Sequence, residues 1–296
     1  MTSHINPRVD IAFKKIFGSE ENKDLLISLI NSIVSEEDQV VDITLLNPYN
    51  QKDFKNDKLS ILDIKAVGNH GKKFNIEIQI TDEADYDKRA LYYWAKLYAS
   101  QLKEKEDYST LEKVIGIHIL NFTSILEAEK YHNVFHITEK ETGVRYFKEL
   151  ELHTIELKKF TDALGKEFED IGPKIQNALD LWSAFLTKND LISQARLPHD
   201  LDNIPVKKAI EVLNVMNFSD EEREAYEDHL KWLRIEANSL KKAEEKGIEK
   251  GIEKGREQEK LNIACALLKQ ALSLEQISEV TGLSIQDLNS LTEEKS

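Results

Sequence analysis

Two acids and an amide stand close together in a pattern that could hold a hard cation. Asp63 lies in LSILDIKAV, Glu77 and Gln79 lie in KFNIEIQIT, and Gly68-Asn69-His70-Gly71 falls between the two runs. Alternating apolar residues on either side of such a turn predict a β-hairpin. Side chains of a strand alternate faces, so Asp63 and Lys65 share one face while Leu62, Ile64 and Ala66 share the other. In the partner strand Asn75, Glu77 and Gln79 face away from Phe74, Ile76, Ile78 and Ile80. A hairpin centred on His70 sets Asp63 opposite Glu77, with Cβ atoms about 4.5–5.5 Å apart. Two carboxylates there repel, and a bridging divalent cation removes the repulsion. Oxygen ligands from Asp63 and Glu77, with the Ile78 backbone carbonyl, suit Mg²⁺ or Mn²⁺. Such an ion polarises a phosphodiester and lowers the pKa of bound water, while Gln79 would orient that water without adding charge. The same spacing also fits a solvated polar face on which Asp63 and Glu77 are ordinary surface acids.

The elements that must position this hairpin follow from periodicity. Asp10 to Val34 reads as helical, interrupted at Gly18-Ser19, with Phe13, Ile16, Phe17, Leu25, Leu26, Leu29, Ile30 and Ile33 at three- and four-residue spacing. Strands are expected over 40–46, 59–67 and 73–81, then a helix over 83–103 with Leu91, Trp94, Ala95, Tyr98 and Leu102 inward. VIGIHILNF at 114–122 is apolar enough for a strand buried on both faces, which makes His118 a core histidine. Strands are also expected over 134–137 and 149–157, and helices over 171–186 and 206–240. Asp82, Asp85 and Asp87 would cap or decorate the start of the helix after the hairpin. The order predicts a mixed α/β domain over 1–160 and an all-helical remainder.

The formal net charge of −14 favours solubility and disfavours nonspecific adhesion to DNA or acidic membranes, so DNA affinity should be modest and salt-sensitive. The single cysteine, Cys265, excludes an intrachain disulfide and fits a reducing cytosol. No apolar run approaches the roughly 20 residues of a membrane span, and MTSHINPRVDIAFKK lacks the pattern of a signal peptide. The expectation is a cytoplasmic protein with no membrane partner.

Several ordered motifs carry a resemblance. NPRVDIAFKKIFG at 6–18, LLNPYN at 45–50, KLSILDIKA at 58–66 and NIEIQ at 75–79 are followed by KRALYYWAKLYASQLKEKEDYSTLEKVIGIHILNF at 88–122 and YHNVFHI at 131–137. This series resembles the Rpn family of bacterial recombination-promoting nucleases and transposases, within the PD-(D/E)XK nuclease superfamily. The resemblance implies a restriction-endonuclease-like mixed sheet flanked by helices, and metal-dependent DNA cleavage linked to recombination or mobile elements. It makes Asp63 the motif aspartate and Glu77 the motif acid, and it puts Gln79 where many superfamily members have lysine. It places Asp10, Lys14 and Lys15 in the family's first-helix motif, where Asp10 could complete the metal shell or be a helix N-terminal acid. Lys14, Lys15, Arg89 and Tyr93 are candidate DNA contacts, against packing for Tyr93 and solvation for the lysines. The implied enzyme is a Mg²⁺-dependent (or Mn²⁺-dependent) DNA endonuclease; the alternative is a catalytically weak nuclease-like scaffold that binds DNA or protein.

Beyond the α/β part, 161–240 reads as a helical region and 241–260 as a glycine-punctuated charged helix or linker. Gly247, Gly251 and Gly255 recur every fourth residue, which fits close approach of a second helix or a flexible linker equally. The first implies a homo-oligomer through the helical C-terminal region. Residues 261–296 read as a small helix-turn-helix-like module, with Ser273 and Gln276 as a capping box, a turn at Thr281-Gly282 and a second cap at Ser284. The would-be recognition helix, SIQDLNSL, has no Lys or Arg and carries Asp287, which favours protein contact over base reading.

Overall fold

A computed structural model describes residues 5–49, 64–83, 85–104, 106–164, 175–192, 204–216, 218–270 and 272–293. Asp63 lies outside the described residues. The chain divides into two compact units, Met1–Leu230 and Lys231–Ser296.

The first unit begins with α1 (Asp10–Phe17) and α2 (Lys23–Ile33), separated by a turn at Gly18 as the sequence implies. Six strands follow in one sheet: β1 (Thr44–Leu45), β2 (Ile64–Val67), β3 (Lys73–Gln79), β4 (Val114–Leu120), β5 (His132–Phe135) and β6 (Leu150–Glu156). Helix α3 (Tyr86–Ala99) connects β3 to β4, and α4 (Leu157–Leu164), α5 (Ala178–Ile192) and α6 (Val206–Asn214) follow the sheet. The spatial order is β1-β2-β3-β4-β6-β5, with β3, β4 and β6 parallel and the outer pairings antiparallel. This is the mixed, helix-flanked sheet expected from the motifs.

The two faces of the sheet differ in chemistry. Phe74, Ile76 and Ile78 of β3 align with Ile115, Ile117 and Ile119 of β4 and are all buried in the main core. Leu29 and Ile33 of α2 and Leu179, Trp182 and Leu186 of α5 close around Ile119 and Ile155. Helices α5 and α6 therefore share one core with the sheet and with Phe13 and Phe17 of α1. The opposite face carries the row Asn75, Glu77 and Gln79 in register with Gly116, His118 and Leu120. Tyr86 and Ala90 of α3 pack there against Leu120 and Phe122.

Some elements differ from expectation. Only Thr44 and Leu45 of the 40–46 run pair as a strand, and Val41 is 84% exposed. The buried positions of α3 are Tyr86, Ala90 and Leu97, not Leu91, which is half-exposed. The run of aromatics in LYYWAKLY gives the helix apolar groups on more than one side, and the small Ala90 is what fits against the sheet. Asp85 does occupy the N-cap of α3, but its side chain makes no capping bond and pairs with Lys88 instead.

The last helix of the first unit's chain, α7 (Asp220–Leu268), continues through the glycine-punctuated segment without a break. A Cβ added at Gly247, Gly251 or Gly255 would meet nothing within 4 Å among the described residues. In the second unit α8 (Leu274–Thr281) and α9 (Ile285–Glu293) form a small core, in which Ala264, Ile277 and Leu288 are buried. Both caps form there. Ser273 and Gln276 make a reciprocal capping box, Gly282 takes the left-handed conformation at φ 71°, and Ser284 Oγ accepts from the Asp287 backbone N–H at 3.1 Å.

Candidate active site

The hairpin register is the one the turn implies. Ile64 pairs with Ile76, Lys65 with Asn75 and Ala66 with Phe74, a pairing centred on position 70. The turn needs positive φ at His70 and Gly71, which explains a glycine at the second position. Glu77, near the C-terminal end of β3, is only 8% exposed, so its face of the sheet is a covered cleft.

Around Glu77 the fold assembles groups from four elements. Arg89 of α3 reaches back so that Nη2 lies 3.5 Å from Glu77 Oε1 and donates to Gln79 Oε1 at 2.7 Å. Its Nη1 pairs with Glu83, and Glu83 Oε1 accepts from Gln79 Nε2 at 2.9 Å. The guanidinium also lies 5.0 Å from the Tyr86 ring centroid. His118 Nδ1 is 3.9 Å from Glu77 Oε2 and hydrogen-bonds the Tyr86 hydroxyl at 2.8 Å. Burial holds His118 neutral, pushing its pKa down to about 4, and the nearby charge of Arg89 adds to this. The expectation of a core histidine is met in its burial, yet among the described residues Nε2 has no hydrogen-bond partner.

Asp10, at the start of α1, belongs to the same electrostatic environment. Burial, and then the negative charges of Glu77 and Glu83, push its carboxyl up to about 7. Its Oδ2 lies 3.8 Å from His229 Nδ1 of α7. The acids around Asp10 suppress its ionisation, and a divalent cation would relieve that repulsion. Asp10 and Glu77, with the Ile78 carbonyl, are the described groups that could hold such an ion. Among the described residues, no three His, Cys, Asp or Glu side chains meet at metal-ligating spacing.

The remaining candidates lie on α1 and α3. Lys14 is buried. The Lys15 ammonium lies 3.1 Å from both oxygens of the fully buried Glu222, tying α1 to α7, and stacks 5.2 Å from the Phe218 ring. Tyr93 is 38% exposed and packs against Tyr92, so the core position suggested for it is not the one it takes. Three participants escaped sequence reading. Glu83 looks like a helix-start acid, and nothing in its spacing announces a bond to Gln79. Asn121, whose N–H donates to the Gln79 carbonyl at 2.9 Å, extends β4 past its last paired residue. Arg8 sits inside the NPRVD motif and donates to Asn121 Oδ1 at 2.5 Å.

Comparison with known families decides the lineage. A sequence profile described as PD-(D/E)XK nuclease family transposase matches residues 7–243. The chain belongs to this family. A second profile, the C-terminal HTH domain of the Rpn/YhgA-like nuclease family, matches residues 257–293, which take in α8 and α9. No curated protein and no solved structure gives a match. A mixed six-stranded sheet, a nuclease-type domain with the mobile-element association of its family, and an all-helical C-terminal region thus belong to one chain. Among the described residues no helix is long and apolar enough to cross a membrane.

Proposed function

We propose that this protein is a metal-dependent DNA endonuclease, with its centre on the Asp63–Glu77–Gln79 hairpin. The observation that carries the reading is Glu77: a covered carboxylate on the sheet's polar face, whose charge helps push the carboxyl of Asp10 up to about 7. Glu77 and Asp63 hold the cation, with the Ile78 carbonyl and Asp10 completing its shell. A bound Mg²⁺ or Mn²⁺ would polarise the scissile phosphodiester and lower the pKa of the attacking water. Gln79 orients that water through its amide, and Arg89 keeps the amide in place through its 2.7 Å bond. Burial beneath α3 limits bulk water around Glu77, which strengthens each of these interactions. The family relationship supports DNA as the substrate.

The C-terminal HTH domain is read as an assembly module. Helix α9 carries Asp287 and Glu293 and no Lys or Arg, which leaves it without a cation for phosphate. Self-association would run through α7, where the glycines leave one stripe open and Ile248 and Ile252 are exposed. Incubating supercoiled plasmid with the full chain tests the activity. Nicking or linearisation in Mg²⁺ or Mn²⁺ that stops with EDTA is expected, and EDTA-resistant cleavage would remove the metal from the account.

A further inference from the structure

Glu83 lies in the turn between β3 and α3, and no expected motif includes it. Its two carboxylate oxygens have separate partners. Oε1 accepts from Gln79 Nε2 at 2.9 Å, and Oε2 pairs with Arg89 Nη1. The same guanidinium donates through Nη2 to Gln79 Oε1 at 2.7 Å and stands 3.5 Å from Glu77 Oε1. Its Nε is buried with no hydrogen-bond partner among the described residues. A two-oxygen anion is thus held by a guanidinium and an amide, beside the acid proposed to bind the cation. A phosphodiester presents the same chemistry, with two non-bridging oxygens sharing one negative charge, and a guanidinium fork matches it. Gln79 is neutral and can only position; Arg89 is a cation within reach of both Glu77 and Gln79.

We propose that Arg89 is the group that meets the substrate's phosphate, and that Glu83 occupies the phosphate's place until substrate displaces it. This rests on the nuclease reading of the Glu77 site. Displacement swings the Glu83 carboxylate away from Arg89 and Gln79, so that the incoming phosphate replaces an anion instead of adding one. The turn can allow this, because Glu83 is an exposed residue. An engaged carboxylate would also keep a protein of net charge −14 from trapping nucleic acid at random.

The test is a gain of function, which a misfolded variant cannot mimic. Duplex DNA binding is measured in Ca²⁺ and cleavage in Mg²⁺ for the native chain, Glu83→Gln, Asp82→Asn, and Glu83→Gln combined with Arg89→Gln. Asp82→Asn removes the same net charge from the neighbouring exposed position. Glu83→Gln is expected to bind about fivefold more tightly than native, Asp82→Asn to change little, and the double variant to lose the gain. Glu83→Gln binding no better than Asp82→Asn, or a gain that survives loss of Arg89, overturns the proposal. The two readings also fail separately. An Arg89-dependent gain without cleavage by any variant upholds the displacement and defeats the nuclease; Glu77-dependent cleavage with no gain does the reverse.

Discussion

Gln79 sits between opposite charges, its amide oxygen on Arg89 and its amide nitrogen on Glu83. A lysine at this position would bring a second cation against the guanidinium. With Arg89 supplying the charge, Gln79→Lys should leave single-turnover cleavage unimproved in the native background and restore part of it in Arg89→Gln. Arg89→Gln alone should lower the rate on the order of 100-fold, as loss of a transition-state donor does. A tenfold or larger gain from Gln79→Lys alone would show that the site lacks a cation. Lys15 has a different prediction. Its removal as Lys15→Met takes the ammonium from the buried Glu222 carboxylate, so urea denaturation should reveal a loss of about 3 kcal/mol, while DNA affinity of the folded fraction stays unchanged. An unchanged midpoint would contradict the structural role. The place of Glu77 on the polar face was readable because strand alternation assigns it one. The pairing of Glu83 with Arg89 was not, because it depends on how α3 folds back over β3.

At the level of elements, the hairpin and β4 were legible for physical reasons: a turn that demands positive φ, and a strand apolar but for His118 because both faces are covered. Register followed from that turn. The inward face of α3 was not legible, since aromatic residues surround the helix and the sheet selects among them. Gly116 of β4 shows how closely the polar face is packed. A Cβ there would meet Leu152 Cδ2 at 2.6 Å and His118 Nε2 at 3.1 Å. Gly116→Ala should therefore cost about 1–3 kcal/mol in thermal or urea unfolding, and a neutral result would mean that β4 and β6 yield easily. The edge pair β5–β6 predicts a pH dependence. Burial, followed by the charge of His153, pushes His132 down to about 4, below its ordinary 6.5. Unfolding then takes up a proton between those values, so stability is full above pH 6.5 and falls as pH drops toward 4. His132→Asn should flatten that slope by about 1 kcal/mol, after allowance for partial exposure. An identical slope in the variant would assign the acid sensitivity elsewhere.

At the scale of the whole molecule, the chain passes from the first unit into the second within α7, which carries three glycines at every fourth position inside the second unit. Periodicity left this segment open between helix and linker, because each glycine opposes helix formation by about 1 kcal/mol while the Lys–Glu spacing favours it. The structure makes it helical, with nothing within 4 Å of a Cβ at these three glycines among the described residues. Changing all three to alanine should raise helix stability, and it should also weaken self-association if two copies meet on the stripe. Sedimentation of the triple variant as a smaller species is expected, and a profile identical to native would refute assembly through α7. The net charge of −14 makes any DNA affinity depend on local cations, so binding should fall steeply with salt.

The central claim, that Asp63 and Glu77 hold the catalytic metal, is tested most directly by plasmid cleavage in Mg²⁺ or Mn²⁺. The native chain is compared with Asp63→Ala and Glu77→Ala, each purified identically and shown to be folded. The account predicts metal-dependent cleavage by the native protein and its loss in both variants. Equal cleavage by all three would identify a contaminant and contradict the site.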